Sequence, residues 1–139
     1  MAKRSTYLRK QRDRALFESY SEAVKVRDFA TQKEAYDYVR THPAPRFFSS
    51  HLFCASMIKK MLDGVPTGLK SPQSIRKYNE LFKRYLERSE QYPDKSIEEI
   101  CAIIVDEPAP EFYLNRRITQ WVIARERKEI WETMLKRTR

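Results

Sequence analysis

Three residues near the last helical stretch, Arg116, Arg117 and Gln120, are of the types that read nucleic-acid bases. A guanidinium bonds guanine O6 and N7 together, and a carboxamide does the same for adenine N6 and N7. All three follow Asn115, a good helix N-cap. They therefore fall on the first turns of a helix, the part of a recognition helix that meets base edges. Cations suited to phosphate lie elsewhere: Lys3, Arg4, Arg9 and Lys10 near the start, Lys59 and Lys60 midway, and Arg125. Ser50 and His51 open an earlier helix and suit phosphate better than bases, because hydroxyls and helix N-termini hold anions. The chain carries 28 Lys/Arg against 19 Asp/Glu, a formal charge of +9. Such a balance implies a polyanionic partner, and nucleic acid is the commonest one.

Other chemistries find little support in the residue types. The two histidines, His42 and His51, do not have the spacing of a zinc motif. Cys54 lies three residues after His51, but two ligands do not make a metal site. The acidic pair Glu98-Glu99 reads as favourable charge at a helix N-terminus rather than as an acid–base couple. Glu107 and Glu111 flank a proline turn where the first half of the chain has His42 and Arg46, so that surface repels phosphate. We therefore expect no catalytic residue, no metal and no cofactor. Only two glycines occur, Gly64 and Gly68, which excludes phosphate-cradling glycine loops and β-hairpins. Cys54 and Cys101 are far apart in sequence and fall on apolar helix faces, as reduced, buried thiols do. No apolar run of 18 residues is present, so a cytoplasmic protein with no membrane partner is expected.

The elements that must position these residues are legible as a duplication. Leu16-Phe17-x-x-Tyr20-x-Glu22 recurs as Leu81-Phe82-x-x-Tyr85-x-Glu87, and Pro43-Ala44-Pro45-x-Phe47 recurs as Pro108-Ala109-Pro110-x-Phe112. Both shifts are 65 positions, and Glu34 and Ile58 match Glu99 and Ile123 at the same offset. Thr31 with Glu34, and Ser96 with Glu99, each form a capping-box pattern. Proline then stops each second helix, because the residue before it avoids the helical region. The reading is all-α: two tandem trihelical repeats, each a helix, a capped helix, a Pro-Ala-Pro connector and a third helix, packed as one unit and helix-turn-helix-like. A basic arm spans 1–13, the first repeat 14–64, and the second repeat 71–139 with a long last helix. Helical spacing predicts helices from about Tyr7 to Val26, His51 to Asp63 and Asn115 to Arg137. It turns Leu52, Leu62, Ile75, Ile118, Trp121 or Val122, and Leu135 inward, with Ile130 or Trp131, and buries the stem of Arg125.

The Pro-Ala-Pro-x-Phe-[Phe/Tyr] element between two helices resembles one in small, basic bacterial proteins. The resemblance covers residues 7 to 126. It implies a bacterial origin and brings no activity and no functional residue with it. The expectation is thus a non-catalytic nucleic-acid-binding protein, with DNA favoured over RNA and the bacterial nucleoid as its setting. The alternative is an interaction module in which Trp121, Ile130, Trp131 and Leu135 of the last helix meet a partner or form a homodimer.

Overall fold

Side-chain caps set most of the helix starts. The fold is a computed structural model that describes residues 2–137, with side chains from Thr6 onward. The six helices are α1 (Ala2–Val26), α2 (Gln32–Arg40), α3 (His51–Leu62), α4 (Pro72–Gln91), α5 (Ile97–Ile104) and α6 (Arg116–Arg137); no β-strand occurs among the described residues. Thr31, Ser50, Ser71 and Ser96 each accept from the backbone N–H three residues on. Asn115 Oδ1 does the same for α6, accepting from the Ile118 N–H at 2.8 Å. The box at Ser96 and Glu99 is complete in both directions. At Thr31 the Glu34 carboxylate reaches one residue further back and accepts from the Ala30 N–H. The basic arm is not a separate element: α1 begins at Ala2, so its cations ride on a helix. Nothing in the first residues breaks a helix, since neither Gly nor Pro occurs before Pro43.

The chain divides into two units that do not follow sequence order. The first unit is Pro45–Ala109 with the opening segment through Leu8, and contains α3, α4 and α5, all three in mutual contact. The second is Arg9–Ala44 with Pro110–Arg139, and contains most of α1 with α2 and α6. A division at 14–64 and 71–139 groups α3 with α1 and α2; the structure groups it with α4 and α5. Likewise α6 packs on α2. A helix-turn-helix reading requires α3 against α2 and α6 against α5. The physical reason lies in the connectors, where two prolines fix φ and offer no N–H with which to turn back. Each connector leads the chain from one unit into the other.

Local geometry recurs at the 65-residue offset. Phe48 and Tyr113 are the two non-glycine residues with positive φ among the described residues, at 54° and 59°. The Phe47 N–H donates to the Val105 carbonyl in the first unit, and the Phe112 N–H to the Arg40 carbonyl in the second, both at 3.1 Å. Those two bonds interchange when 65 is added to or subtracted from each number. Leu16 and Leu81, Val39 and Ile104, and Ile58 and Ile123 are all buried. The first core is built from Cys54, Ile58, Tyr78, Leu81, Ile100 and Ile104, and the second from Leu16, Tyr20, Val39, Val122 and Ile123.

The predicted inward faces are only partly inward. Leu52, Leu62, Ile75, Ile118, Trp121, Trp131 and Leu135 are all exposed. On α6 the buried stripe is Thr119, Val122, Ile123 and Glu126, which lies off the line of the larger apolar residues. Apolar side chains stand on both sides of this helix, so spacing alone gives two candidate faces.

Candidate nucleic-acid interface

Six of the twelve expected contact residues, Arg9, Lys10, Arg116, Arg117, Gln120 and Arg125, fall in the second unit. Its sequence segments hold 16 Lys/Arg against 10 Asp/Glu, whereas those of the first unit hold 12 against 9. The residue that organises this surface is Asp13, which is 1% exposed. It sits at the start of the 13, 16, 20 stripe by which α1 meets its core. Its Oδ1 accepts from Arg12 Nε at 3.0 Å and from Arg12 Nη2 at 2.8 Å. Its Oδ2 accepts from Arg125 Nη2 on α6. The Arg125 guanidinium in turn lies over the Trp121 ring, 4.6 Å from its centroid. α1 is thereby tied at Asp13 to the middle of α6. Arg9, Lys10 and Arg14 on α1, and Arg117, Gln120 and Trp121 on α6, are exposed.

Arg116, the first expected base reader, is occupied. Its Nε and Nη2 meet the two oxygens of Asp37 on α2, at 3.0 and 2.6 Å. Arg40 also donates to Asp37, at 2.8 Å. The Arg116 hydrogen bond is the main reason that the Asp37 carboxyl is held below the usual carboxylate range. Asp13 and Asp37 are each shared by two arginines, so both clusters keep a net positive charge.

Glu126 also faces the α1 side. It is 5% exposed and its Oε2 has no hydrogen-bond partner. Burial is the main cause that pushes its carboxyl up, with Glu129 adding repulsion and Arg14 opposing it.

In the first unit the candidates are spread and mostly committed. Lys59 donates to Glu98 at 2.5 Å, which holds the Lys59 ammonium up and the Glu98 carboxyl down. Ser50 caps α3 with its hydroxyl at 3.4 Å from the Phe53 nitrogen. His51 and Lys60 are half-buried on the same helix. Glu107 accepts from both Arg84 and Arg88, at 3.2 and 2.6 Å, beside the second connector. The side chains of Lys3 and Arg4 lie outside the described residues. His42 donates from Nδ1 to the Tyr38 carbonyl at 2.5 Å and stacks on the Tyr38 ring. Cys54 and Cys101 are free thiols, both buried, and the hydrogen bond between them followed by burial pushes Cys54 up. No group of three His, Cys, Asp or Glu suited to a metal ion occurs among the described residues. Nor is any helix among them long and apolar enough to cross a membrane.

Sequence reasoning missed Asp13 as an organiser and left Trp121 between the core and a partner surface. The first carried a usable signal: it sits at helical spacing from Leu16 and Tyr20, and 65 positions before the buried Tyr78. The second carried none, because a Trp on a two-sided apolar helix fits either face.

The arrangement defines a six-helix, all-α protein whose second unit carries the larger excess of Lys and Arg. No protein-family model, curated protein or solved structure matches the chain.

Proposed function

We propose that this protein binds nucleic acid without catalysing a reaction, through the surface of the second unit where α1 meets α6, with DNA as the first candidate. The observation that carries the reading is the Asp13–Arg125 pair, which ties α1, next to its basic residues Arg12 and Arg14, to α6 at the arginine that lies over the exposed Trp121. Lys10, Arg9 and Arg14 would meet phosphates, while Arg117 and Gln120 would meet bases. Arg116 and Arg125 act first as struts, since each is bound to an acidic residue of another helix. A helix-turn-helix geometry is not needed for this surface. We also read the chain as a doubled three-helix unit whose third helices have changed partners. The interchangeable Phe47 and Phe112 hydrogen bonds and the paired positive φ at Phe48 and Tyr113 support that reading.

Fluorescence anisotropy of labelled oligonucleotides across a salt series tests the function. Binding should weaken steeply with salt, because each neutralised phosphate releases counterions. Lys10→Ala and Arg14→Ala should each lower the logarithmic slope by about one. Arg117→Ala should also narrow the difference between preferred and other sequences. Absence of binding to any oligonucleotide at about 50 mM salt would remove the proposal.

A second reading is favoured by one observation. Beyond Glu126, α6 exposes Trp131, Met134 and Leu135, at 61%, 55% and 46%. Such a stripe suits a partner helix or a second copy of the chain. Light scattering at rising concentration tests it: a constant monomer mass would count against self-association.

A further inference from the structure

We propose that Trp121 is a stacking platform for an unpaired base, so that the strand this surface prefers is single rather than duplex. This rests on the nucleic-acid reading above and names the form of the ligand. Trp121 is 59% exposed, although it stands on the helix that also supplies core residues Val122 and Ile123. A bare exposed indole would be mobile and would lose entropy on stacking. This one is braced, because the Arg125 guanidinium lies over its ring and is itself held by a carboxylate that is 1% exposed. A braced aromatic gives up little freedom when a base lands on it.

The surroundings fit a strand rather than an apolar partner. Arg117 lies one turn before Trp121 and Lys128 two turns after it, all on one face of α6. At 1.5 Å per residue those cations stand about 6 and 10 Å along the helix from the indole, within reach of the same strand, Arg117 at a neighbouring base and Lys128 at a phosphate. Arg14 on α1, next to the Asp13 that holds Arg125, is exposed and adds further positive charge. Base stacking needs a free π-face, which an intact duplex keeps inside its own stack. Charge without an aromatic would accept either form, so the indole decides between them.

The test is anisotropy with labelled oligo-dT and oligo-U of about 20 nucleotides and a duplex of the same length, on the full chain. The wild type should bind at least one of the unpaired strands about 10-fold tighter than the duplex; the two strands distinguish DNA from RNA. Trp121→Ala should weaken strand binding about 10-fold and leave duplex binding within about 2-fold. Trp121→Phe should recover most of the loss and Trp121→Leu should not, which separates stacking from apolar bulk. Equal affinity for strand and duplex, or a Trp121→Ala protein that binds strands like the wild type, overturns this inference and leaves nucleic-acid binding standing. Failure of the wild type to bind all three ligands overturns both.

Discussion

Replacing Asp13 by Asn removes one charge from the middle of the α1–α6 contact while keeping the shape of the side chain. The carboxylate accepts two bonds from Arg12 and one from Arg125, and is itself 1% exposed. Breaking a fully buried pair by removing one partner destabilises by about 3–5 kcal/mol. Here the guanidiniums are not fully buried: the side chains of Arg12 and Arg125 are 23% and 36% exposed. Water can therefore solvate much of the stranded positive charge, and a loss of about 2 kcal/mol is expected. Urea unfolding followed by circular dichroism measures it. With a denaturant slope of about 2 kcal/mol per molar, the midpoint should fall by about 1 M. A cycle with Arg125→Gln should return a coupling of about 1 kcal/mol. An Asp13→Asn midpoint within about 0.2 M of the wild type would refute the claim that this carboxylate ties α1 to α6.

Other perturbations probe separate parts of the argument. Glu126→Gln should stabilise the protein by about 1 kcal/mol at neutral pH, because it removes a buried carboxylate with an unpartnered oxygen. The folded pKa of Glu126 is raised, so its native state holds a proton more tightly than the unfolded chain; the penalty appears as pH rises above the unfolded value and fades in acid. Thermal melts at pH 4 and pH 7 should therefore show the gain from Glu126→Gln only at the higher pH. Asp37 shifts in the opposite direction, so the stability it contributes is present at neutral pH and is lost as pH falls below the ordinary Asp value of about 3.9. Asp37→Asn should abolish that acid-dependent loss in melts below pH 4. Burial pushes the Tyr78 phenol up to about 12, with its hydroxyl 2.7 Å from Ser49. Stability should fall by about 2 kcal/mol between pH 10 and 12, as the unfolded phenol ionises and the folded one does not. Tyr78→Phe should flatten that fall. Phe47→Ala should cost about 3 kcal/mol, since its ring is buried under the Arg84 guanidinium.

Helix starts were readable because their determinants are local. A cap acts over three residues, and Ser50, Ser71, Ser96 and Asn115 each stand where such a bond starts a helix. Both proline connectors were readable for the same reason, since proline acts on its own φ and on its neighbour. The start of α1 was misjudged because a run of Lys and Arg is as compatible with helix as with an extended arm. The candidate surface was legible as a list of residues. Its members were not legible as occupied or open: Arg116 and Arg117 are adjacent, chemically identical and both exposed, yet only Arg116 is tied to Asp37.

Composition, caps and prolines settle that the chain is helical and basic, because each of these acts within a few residues or through bulk charge. The grouping of α3 with α4 and α5, the burial of Asp13 and the outward turn of Trp121 belong to the tertiary structure alone. They depend on which helix arrives opposite which face. An extended connector leaves that choice open until side chains more than sixty residues apart have met.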